Sequence, residues 1–439
     1  MLGILFVYPL FVASCIAGFM RPYWGLMGFY AFVFLEPEWN WRWSIPRDSN
    51  FQKYIGACVI LGFVLGGMRG NRLSGWLGYS VTALLGFLAL AFISAQQTID
   101  ARLSAFYMDI ISKVILMAII TIKVVDTPRK AWWLLWLIAI TQGYNAFRIN
   151  EQYFQDGYSL YAYIRSWGYK GDNNLYSIFT IPTMAASLAL VIYSEKNWQR
   201  ALSGFILVLQ MHQLMLLESR GGMLGALFMF AVAVVLMPKN FYTIRSACIA
   251  AVLGAILAGP PVIEEFSSSF KAEGERDHSA NSRLKLWAAG ARITKDYPLL
   301  GVGPYAGQVM VPRYEPEYAD QYVKGLHNLL FEVSTGCGIP AAILYFSFLV
   351  VPWFVVFRLY WRQRDSLEPY IGVICFALSI GIPGYLLASM FSSGALLESG
   401  YILIAGVAGV MRSYQSTSDL SRRTVLSSTF PRETLASRV

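Results

Sequence analysis

Residues 76–95 read WLGYSVTALLGFLALAFISA, which is about the length of apolar helix that spans a bilayer. Similar runs fill most of the chain. Of its 439 residues, 56% are hydrophobic and only 14% are charged, whereas soluble domains carry about 25% charged residues. In hydrocarbon only helices or closed barrels satisfy the backbone, and these runs lack the alternation of barrel strands. We therefore predict an all-α, polytopic integral membrane protein.

Apolar segments along the chain predict about 12 transmembrane helices, with 23–36 as a partial or re-entrant pass. If residues 1–36 cross the membrane only once, both termini lie on the same side, and the sequence leaves this open. The segments are 2–20, 23–36, 54–68, 76–96, 107–125, 131–147, 175–193, 201–218, 223–237, 246–264, 328–359, 371–391 and 396–411.

The distribution of Lys and Arg predicts the orientation. One set of alternate loops is short and basic, which is typical of the cytoplasmic side; it comprises 69–72, 128–130, 194–200, 238–245, 358–364 and the tail from Arg412. The other set is then periplasmic in the inner membrane of a Gram-negative cell; it comprises 37–53, 97–106, 148–174, 219–222 and the long loop 265–326.

These spans divide the chain into four parts. We predict an N-terminal helix bundle over 1–264, a periplasmic loop domain with short helices over 265–327, and C-terminal membrane helices over 328–411. The Ser- and Arg-rich residues 412–439 are predicted to form a disordered cytoplasmic tail. The net charge of +9 follows from the basic loops and this tail, so it does not indicate a nucleic-acid partner.

No residue pattern predicts a metal or another cofactor. The five cysteines lie singly in apolar runs, and we expect all of them to be small buried hydrophobic residues. There is no carboxylate–histidine cluster with the spacing of a metal site. Basic side chains would therefore have to neutralise any bound phosphate.

Arg220 lies in the polar break LESRGGMLG between two apolar helices. A guanidinium beside exposed backbone N–H groups suits a phosphate. Gly221 and Gly222 permit close approach of a ligand, but tight turns also need glycine. An arginine that snorkels at the end of a membrane helix is the alternative interpretation.

The long loop contains a second group of basic residues in RLKLWAAGARI (283–293), which predicts a partly amphipathic helix. Arg283 and Lys285 precede its apolar part and Arg292 follows it. Such a helix could hold basic groups over a lipid head group, or present a solvated basic face to anionic lipid. The following PLLGVGPY (298–305) lacks the signature of a phosphate-binding loop and predicts a turn.

His327 and Asn328 begin the next membrane helix, with Glu332 just over one turn later. A helix N-terminus disfavours the charged imidazolium, so a neutral imidazole there is suited to general-base chemistry. A helix-capping role without chemistry is the alternative. His212 lies within an apolar helix, and the neighbouring Gln210 and Gln213 indicate polar packing.

The order of these motifs resembles the O-antigen ligase/polymerase superfamily. The resemblance rests on SRGG, SRLKLW, PLLGVGPY, the HN pair with Glu332, and GCGIP, over roughly residues 200–345; GYKGDNNLYSIFTIP (168–182) also resembles O-glycosylation ligases of that superfamily. It implies a GT-C-like membrane glycosyltransferase that moves a glycan from undecaprenyl pyrophosphate to an acceptor hydroxyl. By this resemblance Arg220 and Arg283 hold the pyrophosphate and His327 is the catalytic base. Asn328, Glu332, Arg292 and Lys285 are supporting candidates.

Members of the superfamily differ in their acceptor. The short tail and moderate loop favour an O-antigen ligase that uses lipid A–core, over an O-antigen polymerase or a protein O-oligosaccharyltransferase. We expect membrane lipids and no nucleic acid as further partners, no metal, and inversion at the anomeric carbon. A transporter of an anionic lipid or solute is the alternative from another class. It is disfavoured because the basic groups lie on one face.

Overall fold

The computed structural model describes residues 2–160, 172–241 and 278–411, together with a few positions between 243 and 252. Throughout these ranges the chain is helical and contains no strand. The predicted all-α class is therefore confirmed for the described residues.

The helices follow one another with short connections. In chain order they span Leu2–Met20, Pro22–Leu35, Pro37–Asn40, Phe51–Leu65, Gly75–Ala95, Ala101–Val124, Pro128–Asp156, Asn173–Tyr193, Asn197–Leu216, Arg220–Leu236, His278–Asp296, Gly307–Tyr314, Leu329–Gln363, Pro369–Ser389 and Glu398–Met411, with a 3-10 turn at Pro316–Tyr318. Three of them recur below. We call Arg220–Leu236 the junction helix, His278–Asp296 the loop helix and Leu329–Gln363 the broken helix.

Six of the described helices are long and apolar enough to cross a membrane, and four shorter ones are also apolar. The long ones include the broken helix, and the short ones include Pro22–Leu35, the predicted partial pass. At 1.5 Å per residue, its 14 residues measure about 21 Å, less than a ~30 Å hydrocarbon core. Of the predicted segments, 246–264 lies largely outside the described residues. The architecture is that of a polytopic helical membrane protein, and the number of 12 crossings stays a prediction.

Three helices carry polar residues that bond to one another inside the bundle. Gln142 of Pro128–Asp156 donates through Nε2 to the Tyr176 hydroxyl at 3.0 Å and to Thr180 Oγ1 at 3.2 Å. Gln213 of Asn197–Leu216 donates to the same Thr180 Oγ1 at 3.1 Å. All four side chains are buried. These bonds give the buried polar groups partners inside an apolar interior, although Oε1 of Gln213 has none among the described residues.

The cysteines follow the sequence prediction only in part. Cys337 and Cys375 are buried, but Cys15 and Cys58 are half-buried and Cys248 is exposed. The expectation that all five are buried was wrong because both the core face and the lipid face of a membrane helix are apolar. An apolar run therefore does not reveal which of its residues face inward.

Residues 278–326 form a small helical unit with its own apolar core. Leu286, Ala289 and Ile293 of the loop helix pack together with Val311 and Leu326 in this core. The predicted amphipathic helix is present and starts five residues earlier than RLKLW, at His278. Its apolar face therefore covers protein as well as any lipid surface.

The loop helix also packs directly on the first turns of the broken helix. A Cβ on Gly290 would lie 2.8 Å from Cγ of Phe331, so only glycine allows this approach. Thr294 Oγ1 and Ser334 Oγ share a hydrogen bond of 2.9 Å. This contact places the loop unit against the end of the membrane helix that begins after His327.

The broken helix is interrupted at Gly338, whose φ of 87° and ψ of 170° are non-helical. The turn predicted from PLLGVGPY fills the interruption. Val302 N donates to Thr335 O at 2.9 Å, Gly303 N to Gly336 O at 3.0 Å, and Ile339 N to Pro298 O at 2.8 Å. The break thus leaves few backbone groups unpaired, because a loop segment supplies the bonds that the helix has lost.

Candidate active site

His327 and Asn328 form the entrance to the broken helix. Asn328 is its N-cap: Oδ1 accepts from Leu330 N at 2.9 Å and Phe331 N at 3.2 Å. Its Nδ2 donates to Met390 O at 3.0 Å, which ties the helix start to the end of Pro369–Ser389. The capping interpretation is therefore correct for Asn328. His327 precedes the helix and is free to have another role.

The backbone of His327 has a φ of 48°, in the left-handed region that non-glycine residues rarely occupy. Its carbonyl oxygen accepts a hydrogen bond from Trp287 Nε1 of the loop helix at 3.4 Å. Leu326 on one side is buried in the loop core, and Asn328 on the other is fixed as a cap. The imidazole is held at a bend between these two anchors.

His327 lines a cavity of about 130 Å³ at the junction of four parts of the chain. The start of Asn173–Tyr193, the loop unit and the turn before Glu398–Met411 all contribute to the wall, together with the first turns of the broken helix. The described lining residues are Asp172, Leu175, Tyr305, Gly307, Gln308, Gly325, Leu326, His327, Glu332, Thr335, Ser392 and Ser393.

The electrostatic surroundings of His327 favour its neutral form. Burial lowers the pKa of the imidazole below its usual range. Asp172 acts to raise this pKa, while the positive charges of Arg283 and Lys324 act to lower it. Because the net change is downward, a neutral imidazole that can accept a proton predominates at pH 7.

Glu332 lies in the same cavity wall as His327. Its side chain is 8% exposed, and Oε1 has no hydrogen-bond partner in the described part of the chain. The sequence prediction named Glu332 as a supporting candidate, and the structure brings it together with His327.

Arg283 is half-buried near the start of the loop helix, and its charge acts on His327. It is not among the described lining residues of the cavity. Arg283 therefore lies close enough to influence the imidazole electrostatically but outside the cavity wall. This is the arrangement expected if a phosphate binds beside the histidine, on the arginine side.

Arg220 is the first residue of the junction helix and is half-buried. The preceding Ser219 is the N-cap: it accepts from Gly222 N at 3.3 Å and donates to Asn174 Oδ1 at 2.9 Å. Asn174 is two residues from Asp172 in the cavity wall. The junction is thus attached to the helix start that borders the cavity.

The glycines beside Arg220 serve helix packing. A Cβ on Gly221 would lie 2.6 Å from Cβ of Phe391, and one on Gly222 would lie 2.5 Å from Cβ of Ser177. The space over both glycines is therefore taken by protein, and the suggestion that they admit a ligand is wrong. The Phe391 ring lies 5.7 Å from the ring of Trp287, which donates to the His327 carbonyl.

Arg220 is not among the described residues that line the cavity with His327. A series of contacts joins the two regions. Gly221, next to Arg220, packs on Phe391, whose ring lies beside that of Trp287. Trp287 in turn donates to the carbonyl oxygen of His327. A ligand that engages both residues must extend from the cavity toward the junction helix.

Lys285 and Arg292 lie on the outer side of the loop helix. Lys285 pairs with Glu317, and Arg292 Nη2 lies 3.3 Å from Glu315 Oε2. Both basic side chains are about half exposed, and neither lines the cavity. The EPE segment at 315–317 thus supplies partners for the two supporting candidates. Their role here is to attach the loop helix to the rest of the loop unit.

His212 is accounted for by packing. Its Nδ1 shares a hydrogen bond with Asn150 Oδ1, and its ring stacks on Phe154 with centroids 5.8 Å apart. Gln210, expected as its polar neighbour, instead bonds to Ser187 at 2.9 Å. His212 therefore has the partners of an ordinary packed side chain.

Sequence reasoning missed several residues of the cavity wall. Asp172 is the N-cap of Asn173–Tyr193 and accepts from Leu175 N at 2.9 Å. Its position in GDNN before an apolar run was the available signal. Tyr305, at the end of PLLGVGPY, stacks on Tyr107 with ring centroids 5.7 Å apart. Ser392 and Ser393 gave no sequence signal.

Comparison with known protein families gives one match. Residues 205–346 match the family model described as O-antigen ligase, which confirms the resemblance found from the motifs over nearly the same range. The matched region contains Arg220, Arg283, His327 and Glu332, while Asp172 and the Ser392–Ser393 turn lie outside it. A search of individually curated proteins finds no match.

Proposed function

We propose that this chain, an O-antigen ligase-type protein over residues 205–346, is a membrane glycosyltransferase. In this proposal it transfers O-antigen polysaccharide from undecaprenyl pyrophosphate to a sugar hydroxyl of lipid A–core. The reaction takes place at the periplasmic face of the bacterial inner membrane. The family match and the several apolar helices support this assignment.

One observation carries the chemical part of the proposal. His327 is half-buried in a cavity, held at a strained bend, with its pKa lowered by burial and by nearby positive charge. A buried neutral imidazole is suited to take a proton from a bound hydroxyl. Strained backbone held by its surroundings is also characteristic of functional sites.

The reaction in this proposal is a single displacement. The acceptor hydroxyl attacks the anomeric carbon of the donor glycan, and its proton passes to His327. The bond from the anomeric carbon to the pyrophosphate oxygen breaks, and polyprenyl pyrophosphate leaves with the electron pair. One displacement implies inversion at the anomeric carbon. Pyrophosphate is already a competent leaving group, so the protein needs mainly to position it and stabilise its charge.

Arg283 is the first candidate for binding the leaving pyrophosphate, because its charge already acts on His327. Arg220, at the N-terminus of the junction helix, is the second. A guanidinium can bind phosphate oxygens in a bidentate manner. If both arginines bind the pyrophosphate, their positive charges would take the place of the metal cation that many pyrophosphate enzymes use. We therefore propose a reaction that does not depend on a metal.

The acceptor distinguishes the proposal from its alternatives in the same superfamily. An O-antigen polymerase would extend the glycan, and a protein O-oligosaccharyltransferase would use a pilin-like protein. The test is transfer of a polyprenyl-pyrophosphate-linked glycan by the purified full-length protein, with lipid A–core, free glycan and pilin offered in parallel. We expect transfer to lipid A–core, unchanged by a chelator. Transfer to another acceptor, or loss of activity with chelator, would contradict the proposal.

The same assay tests the site with a matched pair of variants. Arg283→Ala should reduce kcat/KM by about 10²–10³-fold, the size of effect expected for one group that stabilises transition-state charge. Arg292→Ala removes an arginine from the same helix that already pairs with Glu315, so it should change activity little. Equal losses in both variants would show that Arg283 acts through the loop helix rather than through the donor.

A further inference from the structure

The cavity beside His327 contains a carboxyl group that has no part in the proposed glycosyl transfer. Glu332 lines the cavity, its side chain is 92% buried (8% exposed), and its Oε1 has no partner in the described part of the chain. A buried polar atom left without a hydrogen bond destabilises the fold. An incompletely bonded carboxyl group in a cavity wall indicates a ligand that completes its hydrogen bonding.

The cavity wall is unsuited to an anion. Its described lining residues include two carboxyl groups, Asp172 and Glu332, but no Lys or Arg. A pyrophosphate placed there would meet no positively charged residue among the described lining residues, because Arg283 lies outside the wall. An uncharged ligand that both donates and accepts hydrogen bonds fits this side of the histidine.

The remaining lining residues indicate the class of that ligand. Gln308, Thr335, Ser392 and Ser393 bring amide and hydroxyl groups to the wall, beside the ring of Tyr305. A sugar ring likewise combines hydroxyl groups at its edge with apolar faces, so its groups match those of the wall. At about 130 Å³, the cavity has room for about four waters of ~30 Å³ each. It can therefore take the hydroxylated edge of one sugar ring.

We infer that this cavity is the acceptor subsite, and that Glu332 accepts a hydrogen bond from one hydroxyl of the acceptor sugar. His327, in the same wall, faces the neighbouring hydroxyl that attacks the donor. The carboxyl group can bond a hydroxyl through either of its oxygens, so Glu332 fixes which hydroxyl meets His327. This inference depends on the proposed glycosyl transfer.

The test is steady-state kinetics of the full-length protein with donor and acceptor varied separately. Glu332→Gln keeps the size of the side chain but replaces one carboxyl oxygen with an amide nitrogen, which cannot accept a hydrogen bond. It should raise the KM for acceptor about tenfold and leave the KM for donor unchanged. Glu38→Gln is the matched control, because Glu38 is also buried but lies outside the cavity. It should alter neither KM.

A second variant keeps the inference testable if Glu332→Gln fails to fold. Ser393→Ala, at a half-buried position of the cavity wall, should also raise the KM for acceptor selectively, by a smaller factor. An unchanged KM for acceptor in the folded variants overturns the inference, as does an increase confined to the KM for donor. If the wild-type protein transfers glycan to no acceptor, the proposed function itself fails, which is a separate outcome.

Discussion

At the scale of single residues, His327 illustrates how a side chain can be aimed by its neighbours. Leu326 is buried in the loop core, and Asn328 is fixed by three hydrogen bonds as a helix cap. His327 between them takes a left-handed conformation, which costs of order 1–3 kcal/mol and persists only where the surroundings impose it. The bend directs the imidazole into the cavity instead of along the helix.

The charges around His327 predict how activity depends on pH. A base with a lowered pKa is active above that pKa and loses activity as pH falls through it. Lys324→Ala removes a positive charge that lowers the pKa, so the acidic limb of the kcat/KM profile should move to higher pH. Asp172→Asn removes a negative charge that raises it, so the limb should move to lower pH.

The control for this prediction is Lys285→Ala, which removes a loop charge already paired with Glu317. Its acidic limb should coincide with that of the wild-type protein. Profiles of kcat/KM, each normalised to its own plateau, separate these shifts from changes in overall activity. Shifts of Lys324→Ala and Asp172→Asn in the same direction would exclude His327 as the titrating base.

At the scale of structural elements, the interrupted helix and the PLLGVGPY turn form one unit. Gly338 has a backbone conformation that is essentially restricted to glycine. A Cβ at this position would also overlap the carbonyl oxygen of Leu299. Ser94 Oγ donates to Gly336 O at 2.8 Å, so the helix Gly75–Ala95 supports the same break. The loop unit, and with it Tyr305, is thereby fixed to the membrane helices.

The close contact between Gly338 and Leu299 predicts that alanine destabilises the protein more at position 338 than at position 157. Gly338→Ala imposes both an unfavourable φ and an overlap with Leu299, so we expect severe loss of folded protein. Gly157→Ala places alanine at a φ of 74° with nothing within 4 Å of its Cβ, so it should cost only about 1–2 kcal/mol. Thermal unfolding of the two variants in detergent measures the difference. Similar unfolding temperatures for the two variants would mean that the packing of the PLLGVGPY turn against Gly338 does not stabilise the interrupted helix.

At the scale of the whole molecule, the described helices connect two chemically different ends. The loop unit and the candidate site lie at the start of the broken helix, and the basic residues Arg358, Arg362 and Arg364 lie near its other end. By the distribution of positive charge, the second end is predicted to be cytoplasmic. The proposed site then lies on the opposite, periplasmic side.

Labelling of single cysteines in a cysteine-free background tests this orientation. Lys285→Cys, on the exposed side of the loop helix, should react with a membrane-impermeant maleimide in cells whose outer membrane is permeabilised. Arg362→Cys, at an exposed position near the end of the broken helix, should react only after the inner membrane is opened. The reverse pattern would contradict both the orientation and the periplasmic site.

The sequence by itself was sufficient to predict the apolar helices of the described residues and the residues at several helix starts. Hydrophobic run lengths and capping residues are local signals, so the helix at Leu329 and its cap Asn328 could be read directly. The motif order also sufficed for the family match over 205–346.

Only the tertiary structure decided which polar residues meet. The cavity joins Asp172, His327 and Ser392, which are far apart in sequence. The tertiary structure also pairs Lys285 and Arg292 with glutamates. It packs the side chains of Phe391 and Ser177 against Gly221 and Gly222. The physical reason is that such contacts depend on how membrane helices rotate and pack. Two faces of an apolar helix carry nearly the same residues, so no local pattern specifies the rotation.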